Sequence, residues 1–575
     1  MLPIAEVALT ALGLFVVCGL GPTRLLLPAS LRRYEPLWVP AVGAGAAAGA
    51  LTLLGYAHVP FKASLALTLA AGALLAAVAV RRRPRALPGA LGRSAWPVYL
   101  AALVFAVALI PLFRAGFLTV EGYGQDAHLA VGTATFLQHH YPTAVAPQEP
   151  VDRVPLVWRS KPPIYYVLGA VSTLSGREPY QAISTVLGVM LALAALGFFL
   201  VAREMLRAPP WAALVALGLV GIDRMVLHTV VHPYYNQTWG FFALPFALVL
   251  SWWAAVERTR GGLLLLALFL ALCAFAYPLA LPIPLLALAA VLWQERRRAV
   301  RRVWHGRRSL LWLVPLAALL AVPLVGVAEK IGTGARVVLD PGYSLADWGG
   351  DLNGWYSEPW FFALRTWFLL ALLGAPLLWG LWHVLRALPR DLRRGMVAVL
   401  AFALAAVVIF RLRAHGYYFH FKVLAFVAPL AIAIAVAGLA RRGARWGKAV
   451  LAVWVLLAVS AAAAELALTY DQLPRTTLAL RQAAQRVPPG RSIRLDVAPQ
   501  QQNWVAYMLA ARPLCSQLPL LNTSYPHVPW SRKADYILTP VGARRPRDAV
   551  SGPPVMRLKE WTLYRERAGV PGPSY

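Results

Sequence analysis

The chain has 575 residues, of which 59% are hydrophobic and only 14% are charged, and its mean hydropathy is +0.60. No water-soluble fold buries so large an apolar fraction, so the composition excludes an ordinary soluble domain. The 55 Lys and Arg residues outnumber the 24 Asp and Glu residues, and the net charge of +31 would indicate a nucleic-acid partner in a soluble protein.

The position of the basic residues argues against that partner. They form seven short clusters between apolar runs, at 24–33, 81–93, 203–207, 258–260, 296–308, 386–394 and 441–448. The positive-inside bias of cytoplasmic loops explains all seven, so no nucleic acid is required. The chain has three cysteines, two in apolar runs and one alone near the C-terminus, which indicates neither a structural disulfide nor a thiolate metal site.

Recurring apolar runs predict an all-α polytopic membrane protein with about 13 to 14 transmembrane helices, since each run is long enough to cross the hydrocarbon core or nearly so. The first run lacks a basic start and a cleavage site, so it is predicted to be a retained helix. The predicted spans lie near 4–22, 37–56, 61–80, 97–113, 180–202, 211–228, 238–256, 262–277, 279–293, 309–328, 359–385, 396–412, 417–439 and 448–468.

One apolar piece, 162–174, does not fit this threading. Counting it as a span would place the basic cluster 203–207 outside and reverse every later loop. We therefore predict that it is re-entrant or lies along the membrane, which itself suggests a site, because such segments survive only against protein or a wet cavity.

The chain is predicted to have three regions. Residues 1–94 form a three-helix transmembrane extension, and residues 95–468 form a transmembrane module with outer loops 114–179 and 329–358. Residues 469–575 are soluble in composition, with a helical pattern at 476–485 and strand-like runs at 492–497, 536–540 and 561–565. The threading places this small α/β domain outside the cytoplasm.

The first candidate site lies after the fourth span, in Glu121-Gly-Tyr-Gly-Gln-Asp126-Ala-His128. An acid where a helix emerges from lipid suits a general base or a ligand of a metal-bridged phosphate, so Asp126 is the candidate catalytic residue and a candidate metal ligand. His128 is a candidate substrate contact. The alternative is a solvated loop acid without a function.

A second candidate site is the run from Trp158 to Tyr166, in which Arg159 and Lys161 precede a Pro-Pro step. Cations held at the membrane surface by a rigid turn suit a phosphate or diphosphate headgroup. Tyr165 is a candidate substrate contact in the same run. Snorkelling of the two cations to lipid headgroups is the alternative.

The third candidate is a polar run containing His232, Tyr235, Asn236 and Gln237. Amides and aromatic rings at the membrane surface suit a sugar, and we take these four as candidate substrate contacts. An aromatic belt with a helix cap explains the same residues equally well.

The fourth candidate is the run 411–422, in which cations stand at the predicted outer end of a span, against the positive-inside bias. Arg413 and Lys422 are candidate phosphate ligands, and His415 and Tyr418 are candidate substrate contacts. Pairing of these cations with the acidic loop 329–358 is the rival interpretation.

Together these motifs resemble the GT-C superfamily of membrane glycosyltransferases, in particular the protein mannosyltransferase and lipid A aminoarabinose transferase branch. The run 122–131 resembles the acidic motif of that superfamily's first outer loop, which places its catalytic or metal-linked Asp on Asp126. Lys161-Pro-Pro-Ile-Tyr-Tyr166 resembles the Lys-Pro juxtamembrane motif of the aminoarabinose branch. The similarity in the order of elements covers about 97–470.

This chain departs from the family pattern at two positions. Ser160 stands where the aminoarabinose enzymes have a metal-binding Glu, and Asn236 stands in place of the second-loop Asp. Acids of the loop 329–358 are candidates to replace these two missing ligands in a Mg²⁺ or Mn²⁺ site. They are Asp347, Asp351 and Glu358.

The resemblance implies a multi-pass enzyme of the cell membrane that transfers a sugar from a polyprenyl-phosphate donor to an extracytoplasmic glycan, lipid or protein. Two other classes stay open: a transporter or flippase of lipid-linked precursors, and a polymerase or ligase of such precursors. A transporter would use the same cationic cavity without breaking a bond.

Overall fold

The computed structural model describes residues 2–82, 87–115, 126–142, 162–257, 259–294, 367–441, 445–468, 475–518 and 528–567, and isolated positions between 325 and 342. Within these residues the chain is mainly helical, with one five-stranded sheet near the C-terminus.

The first half of the chain contains thirteen described α-helices. They are α1 (Leu2–Leu26), α2 (Glu35–Tyr56), α3 (Phe61–Arg82), α4 (Leu87–Ala108), α5 (Ile110–Ala115), α6 (Asp126–His139), α7 (Pro162–Ser175), α8 (Pro179–Leu200), α9 (Pro210–Gly221), α10 (Arg224–Val231), α11 (Tyr235–Glu257), α12 (Arg260–Ala276) and α13 (Pro282–Gln294). A short π-helical turn, Val201–Met205, continues α8, and 3-10 turns are formed by Ala29–Tyr34 and Pro278–Ala280.

The second half contains seven described α-helices and the sheet. The helices are α14 (Trp367–Ala387), α15 (Arg390–Leu412), α16 (Tyr417–Arg441), α17 (Arg445–Leu468), α18 (Arg475–Leu478), α19 (Leu480–Arg486) and α20 (Pro499–Leu509). The strands are β1 (Ile493–Leu495), β2 (Leu514–Cys515), β3 (Tyr536–Pro540), β4 (Met556–Arg557) and β5 (Trp561–Arg565).

The predicted polytopic helical fold is confirmed. Eight described helices are long and apolar enough to cross a membrane, or nine if α9 and α10, which meet at a bend of 48°, are one broken span. The predicted spans near 262–277 and 279–293 are shorter apolar helices, and the one near 309–328 lies outside the described residues. The total of 13 to 14 therefore stays a prediction.

Helix α8 is the most deeply buried of the candidate membrane spans among the described residues. Glu178 and Gln181 form a capping box around its first residue, Pro179, so its first backbone N–H groups are satisfied. Of the most apolar part of Pro179–Met205, 94% is buried, and α8 packs against α4, α9 and α11. A helix that is apolar all round is stable only inside a bundle, so α8 organises the helices that carry the candidate sites.

Helices α1 and α2 approach each other closely because glycines meet at their crossing. A Cβ atom on Gly43 would lie 1.6 Å from the carbonyl oxygen of Phe15, and one on Gly19 would lie 1.9 Å from that of Val39. Small residues of this kind let backbones pack directly where the hydrophobic effect does not drive helices together.

The anomalous apolar piece 162–174 forms α7, a helix of 14 residues that is almost wholly buried. At 1.5 Å per residue, α7 is about 21 Å long, which is short for a hydrocarbon core of about 30 Å. This length agrees with a segment that does not span, and its re-entrant placement stays a prediction.

The C-terminal sheet has the strand order β2-β1-β3-β5-β4. β1 pairs in parallel with β2 and β3, while β5 pairs antiparallel with β3 and β4. The three predicted strands are present as β1, β3 and β5. The strands β2 and β4 were not predicted, since a pair of residues carries no readable periodicity. The helix α20 was not predicted either.

The sheet encloses a buried charge network around Arg494, whose side chain is 0% exposed. Its guanidinium lies 2.9 Å from Asp496, 2.6 Å from Asp548 and 3.1 Å from Glu566. Burial lowers the pKa of Arg494, but hydrogen bonds and charge interactions with Asp496 and Asp548 outweigh this effect and hold the pKa above its usual range. The predicted division of the chain at residues 94 and 468 stays a prediction.

Candidate functional site

A reciprocal pair of hydrogen bonds joins α7 to the start of α11. The Tyr165 hydroxyl donates to Asn236 Oδ1 at 2.9 Å, and the Tyr235 hydroxyl donates to the carbonyl oxygen of Ile164 at 2.9 Å. All four residues are buried, and the two tyrosine rings stack at 6.1 Å. Tyr165, Tyr235 and Asn236 therefore fix the helix that follows Lys161 to the polar start of α11.

Lys422, in the second turn of α16, has a buried side chain beside the start of α11. Its Nζ donates a 2.7 Å hydrogen bond to Gln237 Oε1 and lies 3.9 Å from the centroid of the Tyr234 ring. The Tyr418 ring lies 5.1 Å away. A primary ammonium with an exposed fraction of only 1% is expensive to bury, so its position depends on these amide and cation–π contacts.

A second buried polar cluster lies where α10 meets α17. His228 Nδ1 is 2.7 Å from Glu465 Oε1, and Arg224 Nε donates to Glu465 Oε2 at 2.9 Å. The His228 and His232 rings lie 4.4 Å apart. Within the described part of the chain, His228, His232 and Glu465 are the group of three side chains arranged so that a metal ion would fit between them.

These two clusters are continuous. The Tyr234 ring, which lies over the Lys422 ammonium, is 6.0 Å from the His228 ring. The Phe421 ring is 5.7 Å from the same His228 ring. We call the combined assembly the polar junction. Its members are Arg224, His228, His232, Gln237, Lys422 and Glu465.

The local sequence explains why the junction forms here. Asp223 caps α10 by accepting hydrogen bonds from the backbone N–H groups of Met225 and Val226, so the helix restarts after the bend that ends α9. Broken helices with polar side chains at membrane depth are tolerated where they line a cavity or pack on protein. Ionisable residues in such segments indicate function by default.

Helix α6 carries the acidic motif and packs against the C-terminal segment. Asp126 is its first residue, and the position of the Asp126 side chain lies outside the described part of the structure. His128 is buried, with its ring 5.7 Å from that of Trp504 in α20. His128 therefore packs against α20, and its contact with substrate stays a prediction.

A hydrogen bond and an ion pair complete this contact. Thr135 Oγ1 and the Tyr507 hydroxyl are 3.0 Å apart, and Arg481 pairs with Glu178 at the start of α8. Burial raises the pKa of Tyr507 above its usual range, so its phenol stays protonated. The C-terminal segment is therefore held against α6 and the start of α8.

The turn between α15 and α16 carries the remaining predicted residues. Arg413 Nη2 donates to the backbone carbonyl of Asp340 at 2.6 Å, so this cation contacts the loop 329–358 through a main-chain oxygen. His415 is exposed and has a φ of 55°, in the left-handed region, which places it at the tip of the turn. Tyr418 is half-buried beside Lys422.

Several predicted residues lie outside the described residues. They are Arg159 and Lys161 before α7, and Asp347, Asp351 and Glu358 of the loop 329–358. Their predicted roles stay predictions.

Sequence reasoning missed Glu465, Arg224 and Tyr234. Glu465 is an acid inside an otherwise apolar span, and this alone is a signal of a paired or functional group in a membrane helix. Its partners are 237 and 241 residues away along the chain, so no local pattern identifies them.

Solved structures that are similar to the chain include those of ArnT and an archaeal oligosaccharyltransferase. For ArnT from Cupriavidus metallidurans, in the apo state, the identity is 14% and the TM-score 0.46, covering 84% of this chain and 99% of that one. For the archaeal oligosaccharyltransferase AglB from Archaeoglobus fulgidus, in complex with an inhibitory peptide and a dolichol-phosphate, the identity is 11% and the TM-score 0.37. That match covers 73% of this chain and 64% of the AglB chain.

No protein-family model and no curated protein matches the sequence.

Proposed function

We propose that this protein is a membrane glycosyltransferase that moves a sugar from a polyprenyl-phosphate donor to an extracytoplasmic glycan, lipid or protein. The observation that carries the proposal is the buried ammonium of Lys422, held by Gln237 and the Tyr234 ring beside a broken helix. A fixed cation in a water-poor site stabilises the negative charge that gathers on a departing phosphate.

The acid of the proposed reaction is Asp126 at the start of α6. The acceptor hydroxyl oxygen forms a bond to the anomeric carbon while the bond from that carbon to the phosphate oxygen breaks. The polyprenyl phosphate leaves with the electron pair, and the hydroxyl proton moves to the Asp126 carboxylate. General-base catalysis of this kind contributes roughly 10²- to 10⁴-fold in rate.

Lys422 is assigned to the donor phosphate, with Arg159, Lys161 and Arg413 as further cations around it. Tyr165 and Asn236 bond to each other, and Tyr235 bonds to a backbone carbonyl of α7, so these three residues join α7 to α11. We therefore assign them to positioning these two helices rather than to contact with substrate. His232, Gln237, His415 and Tyr418 stay candidate contacts of the sugar or phosphate.

The direction of the helices supports an extracytoplasmic site. Basic residues lie at the ends opposite to the polar junction, with Arg441 at the end of α16 and Arg445 at the start of α17. Lys422 and Glu465 lie near the other ends of these two helices. The positive-inside bias therefore favours a junction on the outer side, where lipid-linked sugars rather than nucleotide sugars are the expected donors.

The proposal is tested by comparing Asp126→Asn with a control, Glu560→Gln, in which an exposed acid of the C-terminal segment is neutralised. Each variant replaces the wild-type protein in its native host, and lipid-linked sugars are measured by mass spectrometry. We expect Asp126→Asn to accumulate the unused donor and to lose at least about 100-fold in transfer while still binding polyprenyl phosphate. Glu560→Gln should behave as wild type.

Two results would contradict the proposal. Turnover of Asp126→Asn at the wild-type rate would show that Asp126 is not the general base. Movement of an intact lipid-linked sugar across sealed vesicles, without a change in its bonds, would identify a transporter or flippase instead.

A further inference from the structure

His228, His232 and Glu465 place three metal-binding side chains around one point. His228 lies in α10 and His232 follows the end of that helix, so the spacing of four residues puts both imidazoles on one face. Glu465 approaches from the last turn of α17. One ligand atom from each residue lies within 4.8 Å of the others, and all three side chains are buried.

We propose that this group is a binding site for a divalent transition metal ion, with Zn²⁺ as the best chemical fit. Two imidazole nitrogens and one carboxylate oxygen form a donor set that Zn²⁺ takes in tetrahedral sites, with the fourth position left to water or a ligand. Tetrahedral bonds of about 2.0–2.1 Å place ligand atoms roughly 3.3 Å apart. The His228 Nδ1–Glu465 Oε1 distance of 2.7 Å is shorter than that spacing, and all three ligand atoms lie within 4.8 Å of one another.

Arg224 orients the carboxylate. Its Nε holds Glu465 Oε2 at 2.9 Å, so Oε1 is the oxygen that faces His228, at 2.7 Å from Nδ1. Residues that hydrogen-bond to a metal ligand on the side away from the metal fix the geometry of metal sites and tune their affinity. The softness of the imidazoles disfavours Mg²⁺ and Ca²⁺, which prefer oxygen ligands only.

The site has a consequence for the polar junction. A bound ion would join α10 to α17 and fix the segment that leads to Tyr234 and Gln237, the two residues in contact with Lys422. The site differs from the predicted Mg²⁺ or Mn²⁺ site, which was placed on Asp126 and the loop 329–358. Metal binding here does not depend on the proposed transferase activity, and the two are tested by separate measurements.

The alternative is a metal-free network in which Arg224, Glu465 and His228 tie the two helices together. The His232→Gln variant separates the two interpretations, because it removes one metal ligand and leaves the contacts of Glu465 with Arg224 and His228 in place. The matched control is His383→Gln, in α14, where the imidazole packs on Trp379.

The experiment uses the full-length protein in detergent, purified without a polyhistidine tag, loaded with Zn²⁺ or Co²⁺ and then freed of excess metal. We expect one ion per chain by elemental analysis and the visible bands of tetrahedral Co²⁺ in the wild type and in His383→Gln. His232→Gln should bind roughly tenfold or more weakly and lose these bands.

X-ray absorption of the Zn²⁺-loaded wild type provides a measurement that needs no variant, and it should show two imidazole ligands and no sulfur. The proposal is overturned if the loaded wild type retains no metal, or if it retains metal without imidazole ligands. It is also overturned if a monodisperse His232→Gln variant binds Co²⁺ with the affinity and spectrum of the wild type.

Discussion

Lys422 in α16 and Gln237 in α11 are 185 residues apart in the chain, yet Lys422 Nζ donates a 2.7 Å hydrogen bond to Gln237 Oε1. The bond fixes a buried ammonium group at one point of the membrane module. It also joins two helices that pack through the Phe241 and Phe426 rings, whose centroids are 6.3 Å apart.

Lys422→Met keeps the length of the side chain and removes its charge. A hydrogen bond to a charged group is worth about 1.5–3 kcal/mol, so the affinity for polyprenyl phosphate should fall roughly tenfold to hundredfold. Titration of the purified protein with polyprenyl phosphate measures this change. Lys533→Met, at an exposed lysine of the C-terminal segment, is the control and should bind as wild type. Unchanged binding by Lys422→Met would mean that the ammonium serves packing alone.

The contact between Thr135 and Tyr507 is predicted to hold the C-terminal segment on α6. Thr135→Val and Tyr507→Phe each remove one partner of the 3.0 Å hydrogen bond. In a double-mutant cycle, the coupling between the two changes should be about 1 kcal/mol, as for a typical neutral hydrogen bond. Hydrogen exchange of α20 in the full-length protein measures the opening free energy of each variant. Additive effects of the two changes would show that the hydroxyls do not interact.

Removal of the Arg494 side chain should destabilise the C-terminal sheet strongly. Arg494→Met leaves Asp496, Asp548 and Glu566 buried without their shared cation, a change that costs about 3–5 kcal/mol. Arg491→Met is the matched control, since the Arg491 side chain is 62% exposed and its ion pair with Asp535 should contribute at most about 1 kcal/mol. Hydrogen exchange of β3 and β5 reports both values. Equal losses of stability in the two variants would show that burial of Arg494 does not decide the size of the loss.

The orientation in the membrane predicts which introduced cysteines react in intact cells. Cys18, Cys273 and Cys515 are buried, and burial raises the pKa of Cys515 to about 12, so the background reaction with a membrane-impermeant maleimide should be low. Arg491→Cys should react in intact cells, whereas Arg82→Cys should react only after permeabilisation. The reverse pattern would place the C-terminal segment in the cytoplasm and remove the proposed extracytoplasmic function.

The sequence by itself determined the polytopic helical character of the chain and its C-terminal strands. Both follow from local patterns: apolar runs long enough for a bilayer, and short runs of β-formers such as Tyr536–Pro540 and Trp561–Arg565. It also identified Lys422, Asn236 and Gln237 as unusual, because polar side chains at the membrane boundary are costly without a role.

Only the tertiary structure decided which of these side chains meet. Lys422 contacts Gln237 and Tyr234, Asn236 bonds to Tyr165, and Glu465 joins His228 and Arg224 from the far end of the chain. Such pairs depend on how apolar helices cross, and the apolar faces of these helices are too alike in sequence to specify their neighbours. The bend between α9 and α10 could not be predicted from the sequence either, because no change in hydropathy marks it. It lies where α9 ends and Asp223 caps the start of α10.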